Sequence, residues 1–132
     1  MSEYHEVELE VNDEKSIVQS LEELGYKPVV TTEPVQLEGY LGDSRRQKAN
    51  IVIPRHQVGG ASNDIGFEKV GKKYKMHISE YDIGQRFFDE KEFKKLYSKN
   101  LVLNKLKKSK KFKKKSVNVD KNGKITIKLK RR

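Results

Sequence analysis

The sequence predicts an α+β fold in which two main helices pack on a largely antiparallel sheet. Several short segments alternate apolar and polar residues, which is the period-two pattern of strands. Two longer segments have apolar residues at helical spacing instead. The predicted order is β-α-β-β-β-β-β-α-β-β, and we expect the 132 residues to form a single domain.

The first strand and the first helix are predicted within residues 6–25. Residues 6–11 alternate glutamate with Val or Leu, as expected for a strand with one buried side. The helix is predicted to begin after Asn12 or Asp13, either of which can cap its N-terminus, and to end at Gly25. The apolar residues at helical spacing within it are Ile17, Val18, Leu21 and Leu24.

Five β-prone segments follow this helix. Pro34 separates the first two, and a Gly-rich loop at 59–62 separates the third from the fourth. The last two have the pattern of a hairpin, with Tyr74, Met76 and Ile78 on one buried side. The five segments are Tyr26–Thr32, Val35–Leu41, Lys48–Pro54, Ile65–Lys69 and Lys73–Ser79.

The second main helix is predicted from near Asp89 to about Lys108. Its inner side contains Phe93, Leu96, Tyr97 and Leu101, with Asn104 as a further candidate. Its outer side has Lys91, Lys94, Lys95, Lys99 and Lys105. A lysine-rich connecting segment, 105–116, is predicted to lead to a closing hairpin at 117–130, in which Asn122-Gly123 forms the turn.

Four short motifs resemble a known family. They are Leu21-Glu22-Glu23-Leu24-Gly25, Glu38-Gly39-Tyr40, Ala49-Asn50-Ile51-Val52-Ile53 and Asp64-Ile65-Gly66-Phe67. Together they are similar to small cyanobacterial, plastid and bacterial proteins of unknown function, named after conserved chloroplast reading frame thirty-five. The resemblance implies no assigned activity and no catalytic residues. Some bacterial members look like companions of AAA+ ATPases, which implies an accessory or adaptor role.

Composition limits the class of protein. The absence of cysteine excludes disulfides and thiolate metal sites, and it fits a reducing compartment. The N-terminal residues contain no apolar run typical of a signal peptide, and no segment approaches the roughly 20 apolar residues of a membrane span. We therefore expect a soluble, intracellular, cytoplasmic protein.

Charge is distributed unevenly along the chain. Residues 1–68 have a net charge of −7 and residues 69–132 a net charge of +17, for a total of +10. Clustered lysines bind a phosphate backbone because each neutralised phosphate releases a condensed counterion. Since arginine is scarce in the second half, we expect binding to RNA or DNA with low sequence specificity. The candidate nucleic-acid-binding residues are Lys105, Lys107, Lys108, Lys110, Lys111, Phe112, Lys113, Lys114, Lys115, Lys128, Lys130, Arg131 and Arg132.

Other interpretations of the lysines stay open at this point. The partner could be a different acidic macromolecule or a membrane surface. The run could also be a solvated loop, or could fold back over the acidic strand near Glu6, Glu8 and Glu10. In the adaptor interpretation, the acidic first half and a sheet edge would contact a protein partner, and the lysines would be peripheral.

Aromatic residues could add base stacking, since exposed rings bind unpaired bases. The candidates are Phe67, Tyr74, Tyr81 and Phe112, although Tyr74 fits the core better. Phe112 could equally tuck beneath the last helix.

Catalytic and metal motifs are weak. His5, His56 and His77 are far apart, and we expect His77 to be exposed on its strand. Gly59–Asn63 could wrap an anion with backbone N–H groups, but a hairpin connection explains it more simply. Helix capping explains the carboxylates that could act in acid–base or metal chemistry, which are Glu80, Asp82, Asp89, Glu90 and Glu92. We expect no enzyme activity, no cofactor and no metal.

Overall fold

The computed structural model describes residues 4–9, 13–107, 112–119 and 125–131. In residues 5–9, 112–119 and 125–131 it describes the backbone alone, apart from the side chain of Lys128. The elements, in chain order, are β1 (Tyr4–Leu9), α1 (Glu14–Glu23), β2 (Val29–Glu38), β3 (Ser44–Ile53), α2 (Arg55–Val58), β4 (Ile65–Val70), β5 (Lys73–Ser79), α3 (Glu80–Gly84), α4 (Glu90–Lys107), β6 (Phe112–Val119) and β7 (Ile125–Arg131). The predicted α+β class is confirmed.

The strands form two separate antiparallel sheets. The larger has five strands in the order β1-β5-β4-β3-β2, so β1 and β2 are its edges. The smaller consists of β6 and β7 alone. The predicted antiparallel arrangement and the predicted terminal hairpin are both present.

The backbone divides into two compact units. The first, here called the sheet unit, consists of residues 1–12 and 25–89. The second, here called the helix–hairpin unit, consists of residues 13–24 and 90–132. The expected single domain stays a prediction.

The core of the sheet unit lies where the apolar alternation predicts it. Tyr74, Met76 and Ile78 of β5 are buried, as expected from their shared parity. Gly66 on β4 allows close packing, because a Cβ atom there would lie 2.5 Å from the Cβ of Ala49 and 2.8 Å from a methyl carbon of Leu37. A side chain at this position would therefore displace two fully buried neighbours.

Strand β2 differs from the prediction. The two segments predicted on either side of Pro34 form one strand, whose register shifts between Val30 and Val35. The missing N–H of proline is tolerated here because β2 is an edge strand. Asn50 of β3 bridges the irregular stretch: its Nδ2 donates to the Thr32 carbonyl (3.1 Å), and its Oδ1 accepts from the Lys69 N–H (3.0 Å).

Two short helices, α2 and α3, were not predicted. Each follows directly after a strand and is a single turn long, so it has too few residues to show helical periodicity. In α3, the Ser79 side chain caps the N-terminus by accepting from the Asp82 N–H (3.2 Å).

A polar ladder joins α1 and α4 in the helix–hairpin unit. Asn100 Nδ2 donates to Ser20 Oγ (3.0 Å) and to Glu23 Oε1 (3.0 Å). One turn later in α4 and one turn earlier in α1, Asn104 Nδ2 donates to Ser16 Oγ (2.9 Å) and to Gln19 Oε1 (2.8 Å). Both asparagines and both serines are buried, so the inner side of α4 is not purely apolar. The expected inward position of Asn104 is confirmed, together with those of Phe93 and Tyr97.

Candidate functional site

The two units of the fold differ in net charge, although less than the two halves of the sequence do. The sheet unit contains 10 Lys/Arg and 12 Asp/Glu, a net charge of −2. The helix–hairpin unit contains 19 Lys/Arg and 7 Asp/Glu, a net charge of +12. The excess positive charge of the chain therefore belongs to the unit formed by α1, α4 and the β6–β7 hairpin.

The sequence predicts a connecting segment at 105–116, but much of this range lies in α4 and β6. Helix α4 extends to Lys107, and strand β6 begins at Phe112 rather than at 117. The hairpin is therefore five residues longer on this side than predicted. Of the candidate residues, Lys105 and Lys107 lie in α4, Phe112 to Lys115 lie in β6, and Lys128, Lys130 and Arg131 lie in β7. Lys108, Lys110, Lys111 and Arg132 lie outside the described residues.

Lys105 and Lys107 are exposed in the last turn of α4. Positive charge at this end of a helix is favourable because it offsets the partial negative charge of the free carbonyl groups. Stabilisation of the helix end therefore explains part of the role of these two lysines. The lysines of the hairpin have no such explanation.

A β-bulge determines which residues share a side of the hairpin. Lys114 pairs with Leu129 and Ser116 pairs with Lys128, so Lys115 is an extra residue in β6. Because successive strand residues alternate between the two sides of a sheet, this extra residue reverses the parity of β6 beyond it. Odd-numbered residues of β6 before Lys115 therefore lie on the same side as even-numbered residues after it, and the reverse holds for the other side.

The reversal sorts the hairpin positions by chemistry. One side, here called the lysine side, consists entirely of polar residues: Lys113, Ser116, Asn118, Thr126, Lys128 and Lys130. The other, here called the apolar side, consists of Phe112, Lys114, Val117, Val119, Ile125, Ile127, Leu129 and Arg131. Lys128, the hairpin residue whose side chain is described, is exposed. The ribbon is thus amphipathic, with three lysines on its polar side.

The lysine side contains a like-charge pair. Lys113 and Lys130 are direct partners in the register, and like charges directly opposite each other destabilise a two-stranded pair. The β6 and β7 sequences contain no Asp or Glu to offset these charges.

The aromatic candidates do not form a stacking surface. Phe67 is buried in the sheet unit, so its candidacy for base stacking is wrong, and Tyr74 is buried as its better fit to the core predicts. The alternation of β4 and β5 places both rings in the core. Tyr81 is 40% exposed and lies against Phe87, with ring centroids 6.1 Å apart. Phe112 occupies a position on the apolar side of the hairpin.

The expectation that His77 is exposed is also wrong. The residue is buried, and its Nε2 lies 2.9 Å from Glu68 Oε1. Strand β5 is an interior strand between β1 and β4, and residues of both parities along it are buried. A strand alternation identifies two sides, but it does not show that only one of them is covered.

The carboxylates have structural partners. Asp82 is fully buried, and its Oδ2 accepts from the Asn63 N–H (3.2 Å) and from Ser79 Oγ (2.8 Å). The Asn63 N–H, part of the loop that could have wrapped an anion, thus binds a protein carboxylate. Glu90 and Glu92 form ion pairs along α4 with Lys94 (3.0 Å) and Lys95 (3.6 Å).

Asp64 was not singled out as a functional candidate, and the fold explains its burial. Its carboxylate accepts from the backbone N–H groups of Glu38 (2.8 Å) and Arg55 (2.7 Å), which fixes the end of β2 beside the start of α2. Burial raises the pKa of Asp64, although these two hydrogen bonds oppose the rise. The Asp64 carboxylate therefore has a structural role, which is to join the end of β2 to the start of α2.

No group of three or more His, Asp or Glu side chains among the described residues is arranged to hold a metal ion. None of the helices in that part of the chain is both long enough and apolar enough to cross a membrane.

Comparison with known proteins places the chain in a family. No curated protein and no solved structure matches this chain. A family model described as "Protein of unknown function (DUF1257)" matches residues 20–128, a range that includes β2 to β6 and the start of β7. Most of the sheet unit and most of the lysine-bearing hairpin are thus within the match, whereas β1 and the end of β7 lie outside it. The chain belongs to this family of unknown function, DUF1257.

Proposed function

We propose that this protein binds nucleic acid without enzymatic activity, through the lysine side of the β6–β7 hairpin. The observation that supports this function best is the sorting produced by the bulge at Lys115. It assembles three lysines with three neutral polar residues on one side of the ribbon. Lys105 and Lys107 at the end of α4 add positive charge to the same unit.

The physical basis of binding is electrostatic. Each lysine that neutralises a phosphate releases a counterion, which favours binding entropically at low salt. Lysine is a point charge with no fixed geometry, whereas arginine recognises bases and phosphates with two parallel hydrogen bonds. A site rich in lysine is therefore expected to bind with low sequence specificity.

Fluorescence anisotropy tests the proposal. Labelled DNA and RNA are titrated with the full chain between 50 and 200 mM salt. If about four to six phosphates are neutralised, the logarithm of the affinity on duplex DNA falls with a slope of about −4 to −5 against the logarithm of salt concentration. The triple variant Lys113→Gln, Lys128→Gln, Lys130→Gln is expected to flatten this slope by about 2 to 3, because it removes three phosphate contacts.

A matched control removes the same charge elsewhere. Lys27, Lys69 and Lys72 are exposed lysines of the sheet unit, and their combined change to Gln alters the net charge equally. We expect this variant to keep the slope of the natural sequence. The proposal fails if the natural sequence does not bind at 50 mM salt, or if both triple variants lose affinity equally.

A second candidate function is that of a protein-interaction module, for example an accessory partner of an AAA+ ATPase. Its support is the exposed edge strand β2, where Val29, Val30 and Val35 are 42–50% exposed. An unpaired edge can accept a strand from another protein. Such binding would persist at high salt and would be lost in Val30→Lys, whereas nucleic-acid binding would be unaffected by that change.

The family assignment extends naturally to a narrower proposal. The four sequence motifs support a relation to the family named after conserved chloroplast reading frame thirty-five. The lack of cysteine supports a reducing, cytoplasmic location. Fractionation of cells that express the tagged full chain would test the location.

A further inference from the structure

We infer that two copies of this protein pair through the open edge of strand β2, so that their five-stranded sheets join into one. The inference goes beyond the nucleic-acid proposal and does not depend on it, because β2 belongs to the sheet unit. It assigns a second copy of the chain, rather than a strand of a different protein, to this edge. Three observations support it: the direction of the backbone at Val30, the composition of residues 28–32 and the charges on either side of them.

The backbone of Val30 faces the open edge. The Lys27 N–H donates to Gln57 Oε1 (2.7 Å), and the Lys27 carbonyl accepts from Gln57 Nε2 (3.0 Å), so both groups point towards α2, which follows β3. In an extended chain, the backbone groups of successive residues point alternately to opposite sides. Val29 therefore faces β3, where it pairs with Val52, and Val30 faces outward. Its N–H and carbonyl are thus directed at the position of a further strand.

Symmetry restricts how two β2 edges can pair. Hydrogen-bonded and non-hydrogen-bonded pairs alternate along an antiparallel ladder, so a two-fold axis perpendicular to the sheet passes only between a residue and its own copy. Val30, in the middle of residues 28–32, suits this position because it can exchange two hydrogen bonds with its copy. Val29 is then opposite Thr31 of the other copy. Residues 28–32 are uncharged, and β-branched residues such as these favour cross-strand pairing.

The charges beside this stretch are complementary between two copies. Lys27 is three residues before Val30, and Glu33 is three residues after it. Both side chains are exposed. An antiparallel arrangement about Val30 brings Lys27 of each copy to the same end of the stretch as Glu33 of the other copy. A second copy therefore supplies the opposite charge at both ends.

The edge also limits the pairing to a short, closed contact. Pro28 and Pro34 have no N–H to donate to a neighbouring strand. In addition, residues 31–34 of β2 are opposite the single residue Asn50 of β3, and such irregularities restrict strand addition at an edge. The pairing is therefore centred on Val30. Because a two-fold contact uses the same edge on both copies, it closes at a dimer.

Sedimentation equilibrium of the full chain in about 100 mM salt tests the association. We expect the average mass to rise from the 15.4 kDa of one chain towards twice that value as the protein concentration rises to about 200 µM, since a short pairing dissociates on dilution. Val30→Lys introduces two ammonium groups beside the two-fold axis, so it should abolish the rise. A natural sequence that stays monomeric throughout, or a dimer that Val30→Lys leaves intact, overturns the inference.

Charge reversal tests the pairing about Val30. Lys27→Glu and Glu33→Lys each replace two ion pairs with two like-charge pairs, so each variant alone should dimerise about tenfold more weakly. An equimolar mixture of the two variants forms both ion pairs again in a mixed dimer, so it should associate about as tightly as the natural sequence. A strand from a different protein predicts no such recovery.

A matched control reverses a charge away from the edge. Lys72 is exposed in the turn between β4 and β5, so Lys72→Glu changes the net charge as Lys27→Glu does. We expect Lys72→Glu to dimerise as the natural sequence does. The pairing about Val30 is contradicted by a mixture that associates no better than either variant alone, or by equal weakening in Lys72→Glu, when circular dichroism spectra are unchanged.

Discussion

At the scale of single residues, Arg86 has the least favourable backbone. It has a φ of +57°, and it is the one non-glycine residue with positive φ in the described part of the chain. It ends α3 in a Schellman motif: the Phe87 N–H donates to the Asp82 carbonyl (3.2 Å) and the Arg86 N–H donates to the Ile83 carbonyl (3.1 Å). Glycine is the usual residue at this position because it has no Cβ to clash.

The strain at Arg86 leads to a stability prediction. Arg86→Gly should raise the free energy of unfolding by about 0.5–1 kcal/mol, since relief of the left-handed strain exceeds the extra freedom of glycine in the unfolded chain. Arg86→Ala removes the same charge but keeps the strain, so it should change stability little. Urea denaturation of the three proteins measures both effects. A glycine variant no more stable than the alanine variant would contradict this explanation.

At the scale of elements, the polar ladder between α1 and α4 is the least expected contact. Both helices were predicted from local signals, at 12–25 and 89–108, and they form at Glu14–Glu23 and Glu90–Lys107. Asn100, however, has no sequence feature that marks it as buried. Its partners Ser20 and Glu23 lie about eighty residues away, and only their contact in the folded chain satisfies its amide group.

A double-mutant cycle tests the ladder. Ser20→Ala and Asn100→Ala, singly and together, should show a coupling free energy of about 0.5–1.5 kcal/mol, because each variant removes one hydrogen bond from the other, buried partner. Ser20→Ala combined with Asn104→Ala should couple less, since Asn104 donates to Ser16 and Gln19 instead. Equal coupling in both cycles would show that the individual rungs are not the source of the interaction.

The hairpin and β2 show why other elements were only partly predicted. The bulge at Lys115 puts Phe112 and Lys114 out of phase with Val117 and Val119, so the alternation appears to begin only at 117. In β2, Pro34 looks like a strand boundary, and it is tolerated because β2 turns out to be an edge strand. Both errors arise because a bulge and an edge position are properties of strand pairing, which the local sequence does not show.

At the scale of the whole molecule, charge and fold coincide. The sequence predicts a polarised chain, and the fold assigns the positive excess to one unit, with −2 on the sheet unit and +12 on the helix–hairpin unit. The lysine cluster itself was predicted from the sequence. Its division between a lysine side and an apolar side was not, because that division depends on the register. The register is therefore the structural finding on which the proposed function most depends.

The most direct test of this account is an amide chemical-shift map of the full chain, titrated with a short DNA duplex at low salt. Lysine-side binding predicts that the largest shifts occur in β6 and β7, centred on Lys113, Lys128 and Lys130, with small shifts in the β1–β5 sheet. Shifts concentrated in the sheet unit, or no shifts at saturating duplex, would contradict the assignment of the lysine side as the nucleic-acid interface.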